Sequence, residues 1–146
     1  MHPYPHSYRA NANGTGVGPV VLSATGLPDL DTAPPVEFGG PGGAWSPETL
    51  LVAAVADCFI LTFREVARAG NLAWGSLQCT VEGTLDRVAG VTRFSRYLTT
   101  VALTLAPGAD AALARSLLEK SEKICLVSNS LTGERDLKIH ITEPTA

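Results

Sequence analysis

The sequence predicts a single α+β domain over residues 1–146, with antiparallel strand pairing and segregated helices. Three observations carry this. The length of 146 residues matches the ~100–200 residues that one hydrophobic core serves. Elements alternate as strands, helix, strands, helix, strand, an order that favours antiparallel pairing with segregated helices over a βαβ array. With 45% hydrophobic and 17% charged residues, the chain can bury a large core and is not disordered.

The first 45 residues are strand-and-turn material. Tyr8, Ala10 and Ala12 alternate with Arg9, Asn11 and Asn13, and Gly14, Gly16, Gly18 and Pro19 then turn the chain into Val20-Val21-Leu22, which reads as a hairpin. Gly26 to Gly43 is rich in Gly, Pro and Asp and reads as a long loop, a feature often tied to function. Ser46-Pro47-Glu48 starts a helix: Ser caps free amides, Pro fits the first turn and Glu complements the dipole. The helix runs to about Ala69, where Gly70-Asn71 stops it. Twelve of fourteen positions from Leu50 to Phe63 are apolar on all sides, so this helix is expected to be enclosed by other elements.

Leu77, Cys79, Val81, Gly83 and Leu85 alternate with polar residues as a half-buried strand. After a turn near Ala89-Gly90, Tyr97, Thr99, Val101, Leu103 and Leu105 form another. Pro107-Gly108-Ala109-Asp110 opens a second helix over Ala111–Ile124, with Leu113, Leu117, Leu118, Ile124 and Cys125 as its inner face. Leu137, Ile139 and Ile141 make a closing strand that leaves His140 on its polar side. Trp45 and Trp74 read as packing anchors.

Eleven Lys and Arg against fourteen Asp and Glu give a net charge of −3 with no basic cluster, so nucleic acid and anionic membrane surfaces are set aside as partners. The apolar run Leu50–Phe63 falls short of the ~20 residues that span a bilayer. The start Met1-His2-Pro3-Tyr4-Pro5-His6 lacks the pattern of a secretory signal, and a cytoplasmic location is expected. In such a reducing compartment three cysteines serve reactivity, metal binding or packing.

Cys79 shares the apolar face of its strand and reads as a core residue. Cys58 lies mid-helix after Asp57. Cys125 ends the second helix and passes into the polar turn Leu126-Val127-Ser128-Asn129-Ser130. Composition and spacing leave these two open, as a redox pair or as unrelated core thiols. Zinc competes, but there is no C-x₂-C spacing, and His2 and His6 stand in a Pro-broken segment; no metal or cofactor is assigned. There is no G-x-S-x-G, and the Gly39–Gly43 loop lacks a P-loop Lys.

The run from Phe38 to Cys58, FGGPGGAWSPETLLVAAVADC, resembles the central-helix motif of the OsmC/Ohr family of thiol peroxidases. Cys125-Leu126-Val127-Ser128-Asn129-Ser130-Leu131 resembles its second motif, usually Cys-Pro-Val-Ser-Asn. The resemblance spans most of the chain. It implies antiparallel sheets packed around two long central helices in an intertwined OsmC/Ohr-like homodimer, and reduction of organic hydroperoxides by a cysteine pair as an antioxidant stress response. By position, Cys58 would be the peroxidatic thiol, Cys125 the resolving thiol and Glu48 the carboxylate holding a catalytic Arg. The sequence departs from the pattern in three places. Leu126 replaces Pro, Asp57 stands where a small neutral residue is common, and Gly16 is followed by Val17 where the family places its Arg. Arg9 is the basic residue nearest in that segment.

Attack on an O–O bond needs a thiolate, which a guanidinium beside Cys58 would favour while also stabilising the leaving alkoxide. Glu48 and Cys58 lie ten residues apart, ~15 Å along one helix, so if both serve one site Glu48 comes from the partner subunit. An external dithiol would reduce the resulting disulfide. Leu51, Val55, Phe59 and Phe63 are expected either to line an apolar site for alkyl or fatty-acyl hydroperoxides or to pack the core. The competing reading is a non-catalytic dimeric stress or small-ligand-binding protein of the same fold, which the uncertain Arg favours.

Overall fold

The computed structural model describes residues 1–144; Thr145 and Ala146, part of the span expected to form one domain, lie outside it. The chain divides into two compact units, Met1–Leu51 and Val52 onward. Helix α1 (Pro47–Ala69) begins in the first and continues in the second.

In the first unit β1 (Asn11–Asn13), β2 (Val20–Ser23) and β3 (Leu30–Thr32) form an antiparallel meander. The expected hairpin is β1–β2, with Ala12 opposite Leu22. The Gly/Pro-rich stretch is more ordered than a plain loop. It contains β3 and a 3-10 turn, Val36–Phe38, and buried Thr32 donates its hydroxyl to the carbonyl of Val20 at 3.0 Å. Gly40 is required by close approach, since a Cβ there would lie 1.7 Å from the carbonyl oxygen of Pro34. Ser46 caps α1 as its sequence predicts, its hydroxyl accepting from the Thr49 amide at 3.1 Å.

In the second unit α1 buries Val55, Phe59, Phe63, Val66 and Ala67, a stripe at the three- and four-residue spacing of one helix face. Full enclosure of the helix does not occur within the described chain: Ala54, Asp57 and Leu61 are exposed. Strands β4 (Trp74–Val88) and β5 (Val91–Leu105) form a long antiparallel hairpin. Its two-residue turn, Ala89 and Gly90, has positive φ at both positions, 52° and 80°, as a turn matching strand twist requires.

Helix α2 (Ala111–Ile124) is capped by Asp110, whose carboxylate accepts from the amides of Ala112 and Leu113 at 2.9 and 3.1 Å. A four-residue helix α3 (Leu126–Asn129) and β6 (Glu134–Thr142) follow. The expectation of wholly antiparallel sheets is corrected here, because β6 pairs with β5 in parallel, Val101 opposite Ile139. The cause is connectivity: α2 returns the chain to the end of the sheet where β5 began, and a strand starting there runs the same way. Ile124, expected inside, is 48% exposed. The buried positions of α2 are Ala114, Leu117, Leu118 and Ser121, and Cys125 continues that stripe where Ile124 does not.

One core joins Phe59, Phe63 and Val66 of α1, Val101, Leu103 and Leu105 of β5, and Leu117 and Leu118 of α2. Trp74 seals it edge-on against Phe63, the ring centres 5.2 Å apart, whereas Trp45 is 48% exposed and anchors no core. Cys79 packs against this core as its alternation predicts. Burial pushes its thiol up to about 12, with smaller contributions from the neighbouring Cys125 and Glu122 charges.

Phe63→Ala is expected to destabilise the fold by about 3–5 kcal/mol, read from a urea midpoint lowered at unchanged slope. Because the Cys79 thiol is raised in the folded chain, its contribution to stability is complete below the unfolded thiol range and lost as pH climbs toward 12. The urea midpoint should therefore fall between pH 8 and pH 10, and Cys79→Ala should flatten that decline.

Candidate functional site

Cys58 and Cys125 are brought together in the second unit. Cys58 stands on α1 at the margin of the buried stripe, one residue before Phe59, and is partly buried. Its sulfur lies 3.8 Å from the hydroxyl of Thr62, one helical turn on. Cys125 is fully buried at the junction of α2 and α3, ending one helix and starting the next with an extended backbone of φ −60° and ψ 109°.

Five influences act on the Cys125 thiol. Burial pushes it up most strongly, the Ser128 hydroxyl and backbone N–H pull it down, and the adjoining Cys58 sulfur pushes it up again by hydrogen bonding and by charge. The net direction is upward, so Cys125 rests as a neutral thiol next to Cys58. No disulfide joins them; all three cysteines are free. Ser128 is itself buried, and the α3 turn closes with the Asn129 amide donating to the Cys125 carbonyl at 3.0 Å.

The turn is held from outside by a group that sequence reasoning missed. Arg135 on β6 donates from Nε to Glu122 Oε1 at 2.7 Å and from Nη1 to Asn129 Oδ1 at 2.8 Å. Its Nη2 donates to the Glu122 backbone carbonyl. Asn129 completes the set by donating from Nδ2 to the Lys123 carbonyl at 3.0 Å. Nothing in local sequence pattern announces this, because the four residues come from three elements.

Glu48 and Arg9 lie in the first unit. Glu48 is in the first turn of α1 and partly buried; Arg9, ahead of β1, is exposed. No ion pair involves either among the described residues. Glu48 borders an apolar cavity of about 540 Å³ lined by Val20, Leu22, Phe38, Pro47 and Leu50 among others. Of the four apolar residues expected either to line a substrate site or to pack the core, Leu51 is partly buried in the first unit, while Val55, Phe59 and Phe63 of the second are 2%, 1% and 0% exposed and the two phenylalanines belong to its core. Among the described residues no three His, Cys, Asp or Glu side chains gather as a metal site, and no helix is long and apolar enough to cross a membrane.

Comparison with known proteins gives the family. The model of OsmC-like proteins matches residues 40–140. An organic hydroperoxide resistance protein of Xanthomonas axonopodis pv. citri is 33% identical over 137 residues, 90% of this chain and 92% of that protein. The uncharacterized protein YmaD of Bacillus subtilis is 30% identical over 108 residues, 72% of each chain. Among solved structures, an organic hydroperoxide resistance protein OsmC of Legionella pneumophila, also described as a predicted redox protein, superposes with a TM-score of 0.69 at 30% identity, covering 96% of this chain and 99% of that one. With two motifs, an α+β fold and a family match that spans both units, the chain belongs to the OsmC-like protein family.

Proposed function

We infer that this protein is a thiol peroxidase that reduces organic hydroperoxides to alcohols. The observation that carries the reading is the proximity of Cys58 and Cys125, 67 positions apart in sequence, close enough for each charge to be felt by the other, with Cys125 buried and Cys58 more accessible. The hydroperoxide-resistance names of relatives near 30% identity support the substrate class.

In the first step the Cys58 thiolate attacks the outer peroxide oxygen and the O–O bond breaks. Cys58 becomes a sulfenic acid, and the alkoxide takes a proton to leave as the alcohol. In the second, the Cys125 sulfur attacks the sulfenic sulfur, water departs and a Cys58–Cys125 disulfide forms. An external dithiol then reduces the bridge by exchange. A resolving thiol works from the neutral side of its titration, because it attacks an electrophilic sulfur already at hand and needs to ionise only as it reacts.

The rest of the site is assembled as a homodimer, each chain contributing one OsmC-like domain. Glu48 and Cys58 occupy one continuous helix, where ten residues rise ~15 Å, so the Glu48 serving a given Cys58 belongs to the partner subunit. Arg9 is the cation available in the N-terminal segment for Glu48 to orient. A reducing compartment, the cytoplasm, suits three free thiols.

A second reading is favoured by one observation: the apolar cavity of about 540 Å³ beside a Glu48 that pairs with no arginine among the described residues. It fits a non-catalytic protein that binds a small apolar ligand.

Thiol counting separates the two. A slight excess of tert-butyl hydroperoxide is expected to remove two free thiols per chain in the wild type. Cys58→Ser should lower turnover by roughly three orders of magnitude or more, and Cys125→Ser should stop at a sulfenic acid that dimedone traps. An unchanged thiol count would replace the peroxidase with the binder. Glu48→Gln mixed with Cys58→Ser should regain activity through heterodimers that keep one intact site, and no regain would remove the shared site.

A further inference from the structure

We propose that Arg135 is a positioning residue for the Cys125 turn: its guanidinium clamps α2 to α3 and so holds the Cys125 sulfur against Cys58. The kinetic consequence, faster closure of a Cys58 sulfenic acid to the disulfide, rests on the peroxidase reading above; the clamp itself does not.

A helix end leaves its last carbonyls without partners, and at Cys125 two helices meet end to end with an extended residue between them. The backbone bond that closes the turn, from the Asn129 amide to the Cys125 carbonyl, ties α3 to Cys125 and not to the body of α2. Leu126, the first residue of α3, is 68% exposed and gains little from packing. Of the last four carbonyls of α2, those of Glu122 and Lys123 are met by this network, the first by Arg135 Nη2 and the second by Asn129 Nδ2. The same guanidinium holds the Glu122 carboxylate on one side and the Asn129 amide oxygen on the other. Arg135 is fixed in turn by the sheet, where it stands opposite Tyr97 of β5, a residue 6% exposed. The guanidinium offers five donors in a rigid planar fork, which lets one side chain reach three separated acceptors in fixed geometry.

Freedom at the junction can also be removed from within. Proline is well suited to the first position of a helix, where its missing N–H costs nothing and its fixed φ is already helical. The extended backbone of Cys125, φ −60° and ψ 109°, is of the kind a following proline accepts. Leu126→Pro therefore offers a second-site rescue that a purely global loss of stability would not show.

The test measures two rates in Arg135→Gln, Arg135→Lys and the double variant Arg135→Gln/Leu126→Pro. The first is alkylation of Cys125 by iodoacetamide in reduced protein, mapped by mass spectrometry. The wild type should react slowly, Arg135→Gln about tenfold faster, as expected for the loss of a charge-assisted hydrogen bond, Arg135→Lys in between, and the double variant near the wild-type rate. The second is single turnover with tert-butyl hydroperoxide, where sulfenic acid formation should be unchanged and disulfide closure about tenfold slower in Arg135→Gln. Unchanged Cys125 alkylation in both single variants overturns the clamp. Faster alkylation that Leu126→Pro fails to restore assigns Arg135 to general stability and overturns it as well. If the wild type forms no sulfenic acid, the peroxidase reading falls and the kinetic consequence with it, while the alkylation rates still decide whether Arg135 holds the turn.

Discussion

The arrangement depends on one constraint: two helices bury their apolar stripes in the same core, and each stripe has a sulfur on or beside it. On α1, Val55, Phe59, Phe63 and Val66 fix the rotation of the helix about its axis, and this rotation leaves Cys58 at the margin of the buried face. On α2, Ala114, Leu118 and Ser121 lead at helical spacing to Cys125, one position past the helix end. The phenylalanines of one stripe and the leucines of the other share a single cluster. Turning either helix by one residue, ~100°, would expose buried apolar side chains and separate the sulfurs together. Hydrophobic packing thus sets the thiol geometry, and the polar contacts refine it.

Three thiols share one region, and their environments divide them. Cys79 has burial against it and, among the described residues, no hydrogen-bond donor to offset this, so its thiol is raised to about 12 and it behaves as a small hydrophobic residue. Cys125 is fully buried where Cys79 is only partly so, yet Ser128 offers it a hydroxyl and an amide that favour the charged form. Ionisation at Cys125 therefore costs less than burial alone would demand. Cys58 is the more open of the two partners and adjoins a hydroxyl rather than a wall of hydrocarbon. This gradient of access and polarity suits an outer sulfur that meets a substrate and an inner one that waits.

Local chemistry was legible wherever one element determined it. The α1 start at Ser46-Pro47-Glu48, its stop at Gly70, the α2 span Ala111–Ile124 and the Ala89-Gly90 turn all follow from capping and turn preferences, and the structure has each of them. Strand ends are less legible, because β4 and β5 extend past their alternating stretches through Gly- and Arg-containing segments whose pairing comes from the partner strand. The direction of β6 was not legible, since alternation along a strand says which face is buried and nothing about its neighbour's polarity. Ile124 was misplaced for a related reason: residue type made it a core candidate, but the helical period puts Cys125, not Ile124, on the stripe of Ala114, Leu118 and Ser121. For the site, residue types named the three cysteines, and only the likeness to a family singled out the pair Cys58 and Cys125.

The two largest omissions have one origin. A wholly antiparallel sheet would end the chain running opposite to β5 and carry Arg135 away from the start of that strand. Parallel pairing instead places Arg135 beside Tyr97, near the start of β6 and soon after the chain leaves α3. Only five residues separate Asn129 from Arg135, so the strand that follows the Cys125 turn also reaches back to brace it. The β5–α2–β6 crossover therefore has two effects from one choice of direction: it seats α2 on the core, and it returns a guanidinium to the helix end that needs a donor. A tertiary feature invisible to periodicity thus ties α3 back to the end of α2, at the junction that carries the buried sulfur.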